Sequence, residues 1–189
     1  SGKTIIAIAS LLIVIEKNLQ GAFMAPTEVL AEQHYKILLK YVNPLLISVE
    51  LLTGNTSQKK RKEILSNLKN GHVDILVGTH ALFEDKVIFN SLGMVVIDEQ
   101  HRFGVTQRNR LLNKGDNTNL LSMTATPIPR TLALSIYGDL DVSQITELPP
   151  GRIPITTKII SEDDLTKLFQ IIEDEINKGR QAYVILPLI

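Results

Sequence analysis

The sequence predicts an α/β fold in which helices flank a parallel β-sheet. Two observations support this fold class. Short apolar runs alternate along the chain with longer segments of helical periodicity. Several of these runs are continuously apolar, which is typical of strands buried on both faces of a parallel sheet. Ligands of such sheets bind beyond the carboxyl ends of the strands, so the residues that follow each strand are candidates for a functional site.

Five strands and four helices are predicted in the first part of the chain. The predicted strands span residues 22–25, 48–52, 74–77, 94–97 and 120–123. The predicted helices span residues 4–17, 28–41, 58–69 and 130–137. For the third helix, Ser57 is a suitable N-cap and Gly71 lies just past the end, which supports these boundaries.

A proline-rich segment separates this part from a second one. Three prolines and a glycine within residues 149–154 break regular structure, and we place a linker at 151–154. Beyond it we predict a strand at 155–160, a helix at 162–178 and a strand at 182–186. The expected organisation is one domain over residues 1–150 and the first strand, helix and strand of a second α/β domain over 155–189.

Composition narrows the class of protein without identifying it. The chain has 189 residues, 44% of them apolar, enough for a well-packed core. Lysine plus arginine and aspartate plus glutamate number 20 each, so net charge neither favours nor excludes a nucleic-acid partner. With no cysteine, disulfide partners and thiolate metal sites are excluded. The longest apolar stretch, residues 4–15, is shorter than the roughly 20 residues of a membrane span.

The two ends of the sequence and its apolar pattern predict the extent, the oligomeric state and the location of the protein. The sequence begins at Ser1 without an initiator methionine, and its last residues, 183–189, have a strand pattern that no closing element follows, so we expect a fragment truncated at both ends. We expect this fragment to be monomeric and cytoplasmic, with no membrane partner.

A phosphate-binding segment opens the first helix. Gly2, Lys3 and Thr4, preceded by Ser1, match the end of the phosphate-loop pattern G-x-x-x-x-G-K-[ST]. Glycine allows the backbone to approach phosphates, lysine reaches the β- and γ-phosphates, and the threonine hydroxyl coordinates magnesium. A helix N-terminus adds amide donors. Taken alone, three residues are a weak signal, and a simple helix start explains them equally well.

An apolar strand that ends in two carboxylates strengthens the nucleotide interpretation. Asp98 and Glu99 directly follow the predicted strand at 94–97. Asp98 can hold magnesium and Glu99 can orient the attacking water, the two functions that phosphoryl transfer needs from acidic residues. An acidic turn would explain this segment alone. The phosphate segment and this strand together, about 95 residues apart, favour an NTPase.

The residues around these carboxylates resemble superfamily 2 helicases. The D-E-Q-H box at 98–101, continued by R-F-G-V, resembles motif II of the RecG type in particular. Further similar segments are M-T-A-T-P-I-P-R-T-L-A-L at 123–134, Y-G-D-L-D-V-S at 137–143 and E-L-P-P-G-R at 147–152. The resemblance extends over all 189 residues. It implies a RecA-like P-loop NTPase fold and an ATP-dependent DNA helicase that uses ATP and Mg²⁺. Such an enzyme binds branched or duplex DNA and remodels branched DNA, at stalled forks and Holliday junctions, in recombination and repair.

Three alternatives remain beside the RecG type. The transcription-repair coupling translocase Mfd shares T-A-T-P-I-P-R-T-L, but Gln100, His101 and the Y-G-D-L-D segment favour RecG. An RNA helicase is the second alternative, and a nucleotide-binding module that does not hydrolyse is the third. The RecG resemblance also implies a wedge domain upstream and an arginine finger in the second motor domain. We therefore expect the isolated fragment to be inactive or nearly so.

The resemblance assigns roles to individual residues. It implies a catalytic set of Lys3, Asp98 and Glu99, an ATP-binding set of Ser1, Gly2, Lys3 and Thr4, and a metal set of Thr4 and Asp98. Residues that couple ATP to DNA would be Gln100, His101, Thr124, Ala125 and Thr126. DNA-backbone contacts would come from Pro26, Thr27, Glu28, Thr53, Gly54, Thr79 and His80. His34 and His72 receive no role, and the basic run at 59–62 is interpreted as a solvated helix face.

Overall fold

The structure of the chain is a computed structural model. It describes residues 2–125, 141–145, 151, 155–157, 159–161 and 164–186. The chain divides into two compact units, Ser1–Pro149 and Pro150–Ile189. The predicted helix at 130–137, residues 152–154 of the predicted linker, and the predicted site residues Ser1 and Thr126 lie outside the described residues.

A five-stranded parallel sheet forms the centre of the first unit. Its strands are β1 (Gln20–Met24), β2 (Val49–Leu52), β3 (Ile75–Gly78), β4 (Leu92–Asp98) and β5 (Asn119–Met123). They lie in the order β2-β3-β1-β4-β5, and every neighbouring pair is parallel. The predicted parallel α/β sheet is therefore confirmed, with strand ends shifted by one or two residues.

Among the residues that the structure describes, four α-helices accompany the sheet. They are α1 (Lys3–Ile15), α2 (Glu28–Val42), α3 (Gln58–Lys69) and α4 (Val105–Leu112). The Ser57 hydroxyl accepts a hydrogen bond from the Lys60 amide, which confirms the predicted N-cap of α3. The sequence did not predict α4, because this short helix buries only Arg108 and Leu111 and so has almost no apolar periodicity. No helix of the described residues is long and apolar enough to cross a membrane.

The helices cover both faces of the sheet. Along β1, Phe23 packs with residues of α1 and α2, whereas Ala22 and Met24 pack with residues of α3 and α4. This alternation follows from the period of two in a strand. The central strands β1, β3 and β4 are therefore buried on both faces, and their ends are the parts available to ligands.

The second unit differs from the prediction. Its helix, α5 (Leu165–Asn177), lies within the predicted helix at 162–178. The predicted strands at 155–160 and 182–186 are wrong for the residues that the structure describes, which form no strand there. A strand requires a hydrogen-bonded neighbour, and an apolar run does not specify one. Tyr183 and Ile185 are 84% and 90% exposed.

Candidate active site

The predicted site segments follow neighbouring strand ends. Met24 at the end of β1 is in register with Gly78 of β3 and with Ile97 of β4. Asp98 of β4 is in register with Met123 of β5. All five parallel strands therefore end at one edge of the sheet, and the loops beyond them lie side by side.

Lys3 connects the start of α1 to the end of β5. It is the first residue of α1, and its ammonium donates a hydrogen bond to the backbone carbonyl of Thr124. Thr4 follows in the same helical turn and is half-buried. The positive end of the α1 dipole therefore lies beside the end of β5, a suitable place for a phosphate.

Both carboxylate oxygens of Asp98 accept hydrogen bonds. Oδ1 accepts from the Glu99 amide at 3.0 Å. Oδ2 accepts from Nε2 of His34 at 2.8 Å. His34 lies on α2 and is buried, with its ring 4.4 Å from that of Phe23. The sequence analysis gave His34 no role, although its spacing with Ala31 and Leu38 places it on the buried face of α2.

The Glu99 carboxylate gathers three partners from two segments. The Thr124 hydroxyl donates to Oε2 at 3.1 Å, and the Ala125 amide donates to Oε1 at 3.3 Å. Nδ1 of His101 lies 3.5 Å from Oε2. Thr124 directly follows β5, the strand that pairs with the Asp98 strand β4. Thr124 and His101, both predicted to couple, meet at one oxygen of Glu99.

The backbone of Glu99 is strained. Its φ of 49° and ψ of 54° lie in the left-handed region, which costs a non-glycine residue roughly 1–2 kcal/mol. Such conformations persist where the surrounding structure enforces them, and they cluster at functional sites. Here the turn carries the backbone from β4 into the short 3₁₀ helix Gln100–Arg102.

Gln100 points into the protein. It is buried, and its Oε1 accepts a hydrogen bond from Nη1 of Arg108 at 3.3 Å. Arg108 is itself buried on α4. The helix missed in the sequence analysis therefore supports the D-E-Q-H turn from behind.

Two of the predicted DNA loops are joined through Glu28. Thr27 caps α2, since its hydroxyl accepts from the Leu30 amide at 3.3 Å. The Glu28 carboxylate accepts hydrogen bonds from the Asn55 amide at 3.3 Å and from the Asn55 side chain. Glu28 thus positions the loop that follows β2.

Exposure differs among the predicted DNA-contact residues. Thr27, Gly54 and His80 are exposed, and Pro26 and Glu28 are half-buried. Thr53 and Thr79 are only 6% and 7% exposed. We therefore expect the direct contacts to come from the exposed members of this set.

An aromatic cluster lies between the D-E-Q-H turn and the loop after β3. Phe103 is buried directly after the turn, and its ring is 5.3 Å from that of His80 and 6.1 Å from that of Phe83. The sequence analysis identified Phe103 only as part of a motif. An apolar residue directly after a charged turn is unusual enough to predict that the Phe103 side chain is buried, but the sequence does not show which rings it contacts.

Acidic neighbours engage half of the basic run at 59–62. Nζ of Lys60 lies 3.0 Å from Oε1 of Glu50, and this hydrogen bond raises the pKa of Lys60. Arg61 pairs with Glu84, and its Nη1 is 3.5 Å from the Thr53 carbonyl. These contacts agree with the interpretation of the basic run as a solvated helix face. The contact between Arg61 and the Thr53 carbonyl also stabilises the loop after β2.

The donor set suits magnesium bound together with a nucleotide. The described residues contain no group of three histidine or acidic side chains that could hold a metal by themselves. Magnesium in nucleotide enzymes needs only one or two carboxylates, because phosphates and waters complete its octahedron. Asp98, whose side chain is 17% exposed, and the hydroxyl of Thr4 fit that requirement.

Comparisons with known proteins show that the chain is similar to helicases. Residues 1–134 match the DEAD/DEAH box helicase family. The chain is 54% identical over its full length to the ATP-dependent DNA helicase RecG of Synechocystis sp. and 51% identical to that of Bacillus subtilis. A solved structure of RecG bound to a three-way DNA junction matches the whole chain with a TM-score of 0.84 and 43% identity.

These relatives are much longer than the chain. The chain spans 23% of the Synechocystis protein, 28% of the Bacillus protein and 25% of the RecG chain in the junction complex. The similarity therefore concerns about a quarter of such a protein, the quarter that contains the sheet edge described above.

Proposed function

The chain belongs to the DEAD/DEAH box helicase family, and from this premise we propose that it is the ATP-binding motor part of a RecG-type DNA helicase. Its first unit has the RecA-like parallel sheet of that family. The observation that carries the proposal is that Lys3 and Glu99 both contact Thr124, which follows β5, at the sheet edge where Asp98 lies next to Glu99.

In this proposal the start of α1 binds the phosphates of ATP. Ser1, Gly2 and Lys3 contact the phosphates, and Thr4 and Asp98 hold Mg²⁺. Glu99 orients the attacking water. Phosphoryl transfer depends mainly on positioning and electrostatics, so a lysine, a metal-holding acid and a water-orienting acid are what the reaction requires.

The same carboxylate couples hydrolysis to movement. Glu99 is held by Thr124 and Ala125, which lie beyond β5, and by His101. A change at the γ-phosphate that moves Glu99 would change these contacts as well. On this basis we assign the coupling role to His101, Thr124 and Ala125. We include Gln100 and Thr126 because of the resemblance to superfamily 2 helicases.

DNA would bind across the loops that follow β1, β2 and β3. Small residues, hydroxyls and loop amides suit the phosphate backbone, which carries no direct sequence information. Branched DNA is the proposed substrate, since a RecG relative was solved on a three-way junction. A cytoplasmic location and a role in recombination and repair complete the proposal. The relatives do not favour an Mfd-like translocase or an RNA helicase.

ATP hydrolysis by the full-length protein tests this function. We expect weak turnover without nucleic acid or with single-stranded RNA, and strong stimulation by branched DNA with unwinding of its arms. Equal stimulation by RNA would favour the RNA helicase alternative. Nucleotide binding without turnover on any nucleic acid would favour the non-hydrolysing module.

A further inference from the structure

We propose that His34 is a positioning residue that fixes the Asp98 carboxylate in the orientation needed for the metal. This inference rests on the proposed function, because it assumes that Asp98 holds Mg²⁺. No motif of the sequence analysis contains His34, and only the fold brings it to Asp98, 64 positions away.

The hydrogen bond from His34 fixes one of the two carboxylate oxygens of Asp98. Nε2 of His34 donates to Oδ2 at 2.8 Å, while the Glu99 amide donates to Oδ1 at 3.0 Å. With one donor on each oxygen, the plane of the carboxylate is fixed, and each oxygen keeps a lone pair for other ligands. Without the His34 donor, Oδ2 would have to find another partner and the carboxylate could rotate.

His34 is held rigidly enough to act in this way. Its ring packs 4.4 Å from that of Phe23 in β1, and it is 8% exposed. Ala31 and Leu38, on the same face of α2, are fully buried. At its N-terminus the helix is capped by Thr27. Groups that hydrogen-bond to metal ligands typically contribute about 10- to 100-fold to metal affinity or activity.

Two amide substitutions separate positioning from packing. In His34→Gln the amide nitrogen can occupy the place of Nε2 and still donate to Asp98. In His34→Asn the amide is one methylene shorter and ends near the place of Nδ1, so it does not reach. Both variants bury an amide in the same apolar surroundings, and they differ in reach. If His34→Asn does not fold, His34→Leu supplies the comparison without a donor.

Two further variants act as references. Leu38→Ala loosens the same face of α2 one turn further along without altering the Asp98 donor. Asp98→Ala removes the proposed metal ligand itself.

The measurement is Mn²⁺ affinity of the full-length protein with a non-hydrolysable ATP analogue, followed by electron paramagnetic resonance. We also measure the Mg²⁺ concentration that gives half-maximal ATP hydrolysis. We expect His34→Asn to weaken metal binding by about 10- to 100-fold and His34→Gln to restore it to within about threefold of wild type. Leu38→Ala should lower the melting temperature and leave metal affinity nearly unchanged.

The outcomes distinguish this inference from the proposed function. If Asp98→Ala loses the metal but His34→Asn binds it like wild type, His34 does not position Asp98 and the proposed function stands. If Leu38→Ala weakens metal binding as much as His34→Asn does, the effect is general loosening and the inference fails. If Asp98→Ala binds the metal normally, the proposed metal site itself is wrong.

Discussion

The carboxylate of Glu99 accepts hydrogen bonds from Thr124 and Ala125 and lies 3.5 Å from Nδ1 of His101. We expect Glu99→Gln to abolish hydrolysis while ATP still binds. Glutamine keeps the shape but loses the negative charge that orients the water, whereas Lys3 and Asp98 remain. Loss of such a group typically lowers turnover by about 10²–10⁴-fold. Steady-state hydrolysis and nucleotide affinity, measured together in the full-length protein, check this.

The matched control for Glu99→Gln is Glu84→Gln. Glu84 is an exposed carboxylate whose partner is Arg61 rather than the nucleotide site. Its loss should leave turnover nearly unchanged. A Glu99→Gln variant that loses ATP binding and has no further catalytic defect would contradict the assigned role.

The hydroxyl of Thr124 is the second feature at this scale. Thr124→Val removes the donor to Oε2 of Glu99 and keeps the side-chain volume. The contact between Lys3 and the Thr124 backbone carbonyl remains. Because a hydrogen bond to a charged group contributes about 1.5–3 kcal/mol, we expect kcat to fall by about tenfold or more, with a smaller change in the KM for ATP. Thr124→Ser keeps the hydroxyl and should hydrolyse ATP like the wild type. An unchanged kcat of ATP hydrolysis in Thr124→Val would contradict the prediction.

Among the secondary-structure elements, β2 and β3 pack so closely at Gly78 that adding one methyl group there tests how much this packing stabilises the fold. A Cβ at Gly78 would lie 2.3 Å from the backbone carbonyl oxygen of Leu52 and 2.0 Å from Cδ1 of Leu82. We expect Gly78→Ala to lower the free energy of unfolding by about 1–3 kcal/mol, since a backbone atom must move. Urea unfolding measures this.

Gly54→Ala is the control for that substitution. Among the described residues, a Cβ at Gly54 would contact only Oε1 of Glu28, at 3.1 Å, the end of a flexible side chain. The free energy of unfolding should therefore change by less than about 1 kcal/mol. Equal destabilisation by the two variants would mean that close strand contact is not the cause.

For the whole molecule, the chain spans about a quarter of the RecG relatives that it matches. We expect the 189-residue chain alone to hydrolyse ATP at least about 10³-fold more slowly than the full-length protein. The reason is the arginine finger that the RecG resemblance implies in the second motor domain, since such a residue contributes at least roughly 10³-fold in related enzymes. Phosphate release with Mg²⁺, with and without branched DNA, provides the measurement. The same chain carrying Glu99→Gln controls for contaminating activity. Turnover equal to that of the full-length protein would refute this expectation.

From the amino-acid pattern alone we could predict the parallel α/β class, the five strands of the first unit and the order of the site segments. This was possible because continuous apolar runs predict buried strands. Local patterns also predict a phosphate-binding segment and reveal the D-E-Q-H box, since the chemistry of both depends on neighbours in the chain. The same reasoning failed for α4, which buries few residues, and for the strands of the second unit, which lack a hydrogen-bonded partner among the described residues.

Only the tertiary structure decided which side chains meet. It brought His34 to Asp98 and Thr124 to Glu99, and it buried Thr53 and Thr79 although both lie in predicted DNA loops. Such contacts join residues tens of positions apart, and they depend on the order of the strands and on the packing of helices against them. A single sequence carries no local signal for that order, because equally apolar strands can pair in several ways.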